Sequence, residues 1–195
     1  MSKSDRSLLE VVMEGGEAIV DLFTTNEAVR EVPVVGTAFK VLKGLDDLRS
    51  RILQTKLLKF VSEPSLVRSM AAGRIRTRLQ DDEQRQQIGE GLFLTLEKVT
   101  DLQKPELLGR VFAAYLDEVV DGDTLLLLAH AIDSAFARDL HYFLVQHVDN
   151  GLERNPIVLR LLSTGLVDYL EFQATPLGIA LKRVATHTQQ DSEPL

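Results

Sequence analysis

The chain has 195 residues, no cysteine and a formal net charge of −7, with 45% hydrophobic and 26% charged residues. Those proportions exclude a wholly disordered chain, and the missing thiols exclude disulfides and thiolate metal sites. The longest stretch free of Asp, Glu, Lys and Arg is the ten residues 172–181, about half of the ~20 that a membrane-spanning helix needs.

The first residues carry no signal-peptide pattern, so a cytoplasmic setting is the expectation. Leu8, Leu9, Val12, Ile19, Val20 and Phe23 predict a first helix, interrupted or closely packed at Gly15-Gly16. Thr24-Thr25-Asn26 then supplies a stop and a new cap. Pro33 opens the clearest predicted helix, running to about residue 61. Val34, Val35, Ala38, Phe39, Val41, Leu42, Leu45, Leu48, Ile52 and Leu53 fill one arc of it; Lys40, Lys43, Asp47 and Arg51 occupy the other. Such a helix would be on the order of 40 Å long. Its apolar opening, 34–45, suits a bundle core and would also suit a membrane surface or a partner helix.

Ser62 and Pro64 predict a cap and first-turn proline for the next helix. Met70-Ala71-Ala72-Gly73 lies within it, small enough for close backbone approach. Arg74 and Arg78 fall in the same arc as Leu66, Val67, Met70, Ala71 and Ile75. Asp81-Asp82 caps a further helix carrying Ile88, Leu92, Leu96 and Val99. Pro105 starts another, with Leu107, Leu108, Val111, Phe112, Tyr115, Leu116 and Val119 on its apolar face. Asp121-Gly122-Asp123 reads as a turn plus N-cap. From Leu125 the pattern is apolar almost all round, predicting a central helix that runs as far as Val148. Asp149-Asn150-Gly151 is the strongest turn signal and divides a helical body, 1–150, from a C-terminal subdomain, 151–185. The polar tail 186–195 is expected to be disordered.

Charge is segregated. Residues 49–78 hold Arg49, Arg51, Lys56, Lys59, Arg68, Arg74, Arg76 and Arg78 against the single acid Glu63. One reading has these cations neutralising the acidic remainder within the fold. The other makes Arg51, Lys56, Lys59, Arg68, Arg74, Arg76 and Arg78 an anion- or partner-binding surface. An i,i+4 Arg pair on an apolar arc must find carboxylates or phosphate, so Arg74 and Arg78 stand out. Asp81, Asp82 and Glu83 are the nearest internal candidates. No aromatic residue interrupts 68–78, so a base-stacking platform is not expected there.

Catalytic signals are missing. His130 and His141 would share a helix face as structural histidines, without the ligand spacing a metal demands. Neither a nucleophile elbow nor a phosphate-cradling glycine loop occurs. Asp117-Glu118 and the pair Asp121 and Asp123 sit at predicted helix ends, where capping explains them. No cofactor and no metal are expected.

Near the C-terminus the order changes. Leu161-Leu162-Ser163-Thr164-Gly165-Leu166-Val167 precedes Tyr169-Leu170-Glu171-Phe172, followed by Ala174-Thr175-Pro176-Leu177-Gly178-Ile179-Ala180-Leu181. This arrangement resembles the end of a bacterial winged-helix domain. The resemblance implies a capping Thr175, Pro176 at the first helical position, and Gly178 packed closely on the preceding helix. It also implies a recognition helix at 155–164, which offers Arg160, with Arg154 just before it. Pro33-Val34-Val35-Gly36-Thr37, leading into Lys56-Leu57-Leu58-Lys59-Phe60, is similar to a pattern in uncharacterised bacterial proteins and implies no function.

The expectation is an all-α fold, a multi-helix bundle of about six to eight helices, with a small C-terminal winged-helix-like element. Its expected role is a non-enzymatic cytoplasmic protein-interaction or regulatory module. An acidic protein partner leads; nucleic acid, a membrane surface and self-association are the alternatives.

Overall fold

Local capping chemistry sets most of the helix boundaries. The computed structural model describes residues 25–42, 48–145 and 154–190, the side chains of 41, 42, 48 and 187–190 excepted. The predicted first helix, Gly15-Gly16, the 149–151 turn, His147 and the last five residues lie outside the described residues.

Among the described residues there are eleven helices and no strand. Asn26 caps α1 (Glu27–Arg30), its side chain accepting from the Val29 amide. The predicted long helix is described as α2 (Pro33–Leu42) and α3 (Leu48–Val61), with the joining residues 43–47 outside the described set. α2 packs on α6, whereas α3 packs mainly on α7.

α4 (Pro64–Ala71) begins at the predicted proline, but its cap is Glu63 and not Ser62. The Glu63 carboxylate is buried, accepts from the Ser65 and Leu66 amides, and also holds Arg110 of α7 at 3.2 Å. That second partner lies far along the chain, 47 residues on. The expected helix through Arg78 is broken after Ala72. Gly73 adopts φ +69°, in the left-handed region that favours glycine, and α5 (Arg74–Arg78) starts after it. Gly73 therefore serves a turn, and nothing crowds it.

Asp81 caps α6 (Asp82–Lys98), accepting from Glu83 and Gln84. α7 (Lys104–Leu116) is the central helix: α3, α4, α5, α8 and α11 all pack on it, and Leu108, Val111, Phe112, Tyr115 and Leu116 are buried. The sequence pattern assigned that position to the helix at 125. Instead α8 (Gly122–Ser134), capped by Asp121, leaves Leu127 56% exposed and ends well short of Val148. Ala135 is extended, and α9 (Ala137–Val145) follows.

Asn155 caps α10 (Pro156–Leu161), which runs into a 3-10 turn at Leu162–Thr164. Val167 and Ala174 then form one isolated antiparallel bridge, with Asp168 N donating to Gln173 O and Thr175 N to Leu166 O. Thr175 Oγ1 donates to Gly165 O at 2.6 Å and accepts from Gly178 N at 3.1 Å, joining the hairpin to α11 (Pro176–Gln190). A side chain at Gly178 would collide with the Leu166 carbonyl and lie 2.9 Å from Phe143. The core is one contiguous cluster, from Val29 to Val184, drawing on residues from both sides of position 150. A bidentate Arg160–Asp139 pair at 2.6 and 2.7 Å ties α10 to α9.

Candidate functional site

The seven cations singled out by charge do not form one surface. Lys56, on α3, is buried; its ammonium donates to the Glu97 carbonyl at 2.9 Å, where the last carbonyls of α6 lack helical partners. Burial lowers its pKa, against the raising pull of Glu97 and Asp133. Lys104 does the same for α8, donating to Asp133 O at 2.7 Å, and burial lowers its pKa too. These ammonium groups close helix ends from a neighbouring helix. Lys59 pairs with Glu106 at 2.7 Å, pinning the first turn of α7. Arg51 is exposed on α3, its carbonyl accepting from Thr55 Oγ1.

The other four cations lie on α4 and α5, and two of them, Arg74 and Arg78, reach the last turn of α7. Glu106 and Asp117 are eleven residues apart along that helix, about 16 Å at 1.5 Å per residue, so this corner is remote from Lys59. Arg68 is exposed on α4 and forms no ion pair with any described residue. Arg74 Nε lies 3.2 Å from Asp117 Oδ1, an oxygen that also accepts from Ser69 Oγ at 2.9 Å. Arg76 reaches back to α1, with Nη2 2.8 Å from Glu27 and a second contact to Glu31. The Glu31 hydrogen bond raises the Arg76 pKa. Arg74 and Arg76 nevertheless keep 50% and 66% of their side-chain surface exposed.

Arg78 differs from these. Its guanidinium carbon sits 5.1 Å above the centre of the Tyr115 ring, and Nη1 is 4.0 Å from Glu118, at the limit of an ion pair. Tyr115 is wholly buried, and burial raises its phenol pKa against the lowering pull of Arg78. Arg78 Nε and Tyr115 Oη are the two buried side-chain polar atoms without a hydrogen-bond partner among the described residues. Orphaned buried donors are rare, so two at one corner need an explanation. Beside them Glu118 adopts φ +61°. It ends α7 in a turn that glycine usually makes, with Glu118 N donating to Tyr115 O and Val119 N to Ala114 O.

The partners of Arg74 and Arg78 are therefore Asp117 and Glu118, and not Asp81, Asp82 or Glu83. Ser69, Tyr115, Asp117 and Glu118 were the residues missed. A signal existed: two consecutive acids at a helix C-terminus oppose the helix dipole and ask for cations nearby. His130 and His141 are exposed on α8 and α9, so they neither share a face nor sit in the core. Among the described residues no group of His, Cys, Asp and Glu is arranged to hold a metal ion, and no helix is long and apolar enough to cross a membrane. What the corner offers chemically is ionic and hydrogen-bonded recognition of an oxyanion. Comparison with protein families, with curated proteins and with solved structures finds no match to this chain.

Proposed function

We propose that the protein is a non-enzymatic, cytoplasmic protein-interaction module that docks an acidic segment of a partner on the α4–α5 ridge. Arg68, Arg74, Arg76 and Arg78 are the docking residues; Lys56 and Lys59 serve the fold. The carrying observation is the exposed Arg68, which has no carboxylate partner among the described residues, together with Arg74 and Arg76, which stay half or more exposed beside their acids. Exposed pairs are weak and exchangeable, because water and salt already screen them. A chain without cysteine suits a reducing compartment. The test is fluorescence anisotropy of a labelled oligoglutamate peptide at low and high salt, with oligoglutamine as control. Salt-sensitive binding lost in Arg68→Glu/Arg76→Glu supports the reading. Equal binding of both peptides, or no effect of the charge reversal, overturns it.

A second reading, a winged-helix-like element binding duplex DNA, draws on the Val167–Ala174 bridge and the Thr175 cap that follows it. Arg160 counts against it, since both of its hydrogen bonds go to the buried Asp139. Arg154 is stacked on Phe172, 5.2 Å from the ring centre. Phosphate contacts would make any such binding steeply salt-dependent. No gel shift of duplex DNA at low ionic strength removes this reading.

A further inference from the structure

We propose that the Arg78–Tyr115 corner is a carboxylate seat for the acidic partner, with Asp117 and Glu118 acting as exchangeable placeholders while the partner is absent. The inference rests on the docking reading above and specifies where one partner side chain goes.

Three independent observations converge on it. Arg78 Nε and Tyr115 Oη are donors buried without an acceptor among the described residues, and Tyr115 is wholly enclosed. An arriving carboxylate is acceptor-only and offers two oxygens, which suits paired donors. The internal acid nearest Arg78 serves it poorly: Glu118 stands 4.0 Å away, is mostly exposed, and is held in a left-handed conformation. Asp117 is divided between Ser69 Oγ and Arg74 Nε, so a competing carboxylate can take Arg74 and leave Asp117 to the serine. The Arg78 side chain is still a third exposed, and its guanidinium lies over the Tyr115 ring. In the proposed complex Arg78 moves outward onto the partner's carboxylate and uncovers the hydroxyl. Charge decides the class of ligand: Arg68 has no carboxylate partner among the described residues, and Arg74 and Arg76 keep half or more of their side-chain surface in solvent beside theirs. The lack of an aromatic platform between 68 and 78 favours a carboxylate-bearing peptide over a nucleic acid.

The test uses the full chain and the same labelled oligoglutamate, with Arg68→Glu, Arg78→Gln, Tyr115→Phe and Glu118→Gln compared by anisotropy. Tyr115→Phe removes only a hydroxyl that has no partner, so the fold is expected to survive it, and a thermal melt confirms that. The seat requires Tyr115→Phe to weaken binding about fivefold, the worth of one hydrogen bond, with Arg78→Gln weaker still and Glu118→Gln tighter than wild type. If Arg68→Glu abolishes binding while Tyr115→Phe and Glu118→Gln leave it unchanged, the seat is wrong and the docking ridge stands. If oligoglutamate does not bind at all, both fall. Tighter capture of a single-stranded oligonucleotide than of oligoglutamate also overturns the seat.

Discussion

Gly109 shows how one missing side chain sets the position of the whole basic segment. It lies on the central helix α7, where a Cβ would run into the Phe60 carbonyl and come 3.0 Å from the Glu63 Cβ. The turn between α3 and α4 therefore rests directly on the α7 backbone. That contact brings Arg110 to the buried Glu63 carboxylate and stacks Phe60 on Phe112, centroids 5.8 Å apart. Gly109→Ala pushes against a backbone atom that has no rotamer with which to yield. Overpacking of this kind costs about 1–3 kcal/mol, so the urea midpoint falls with an unchanged m value. An unaltered midpoint would mean that the α3–α4 corner slides freely over α7. Residue-level facts of this sort were illegible in the sequence, where Gly109 is one unremarked position in an apolar helical pattern. The same holds for Asp117 and Glu118: their roles arise from residues about 40 positions upstream, and proximity in the chain pointed to Asp81 instead.

At the scale of single elements, what could be read was whatever is local. Asn26, Asp81 and Asp121 were legible caps because a cap needs only its own side chain and amides two or three residues on. The periodic faces of α6 and α7 were legible for the same reason. The end of α8 was not, because neither glycine nor proline marks it; α9 starts afresh where Asp139 is drawn to Arg160. The hairpin after Gly165 is held by a local device that can be tested. Asp168 accepts from the amides of Leu170, Glu171 and Gln173 at 2.9, 2.7 and 2.8 Å. Those bonds, the one from Glu171 foremost, hold its carboxyl below the ordinary aspartate range. A folded value below the unfolded one means that the bonds contribute fully above the ordinary range, and are lost as pH falls through the depressed value. The three amide proton resonances are expected to titrate together with an apparent pKa below that of a free aspartate, and Asp168→Asn abolishes the common titration. Independent titrations at the ordinary value would show that the carboxylate does not organise the turn.

For the molecule as a whole, the segregated charge read from the sequence resolves into two populations of cations. Arginines such as Arg68, Arg74 and Arg76 stay near the surface, where the always-charged guanidinium keeps its water. Three lysines, Lys56, Lys104 and Lys182, are buried, and burial lowers the pKa of each. Lys182 gives a test. Burial lowers its pKa, and its ammonium lies 4.7 Å from the centre of the Phe143 ring, where α11 meets α9. Its folded value lies below the unfolded one, so between the two the unfolded chain binds more protons. The unfolding free energy therefore rises with pH across that window, which ends at the ordinary lysine value of about 10.4. Lys182→Met has no proton to lose at this site. Wild type should gain stability over the variant as pH is raised from neutral toward 10, while the difference between them stays flat below the folded value. Tyr115, whose pKa is raised, acts in the opposite sense only above the ordinary tyrosine range of about 10, and it is present in both proteins, so it cancels in the comparison. Paired urea titrations from neutral pH upward make the measurement. Parallel curves would show that Lys182 keeps its water in the folded chain, and that the packing of α11 on the body is looser than its burial implies.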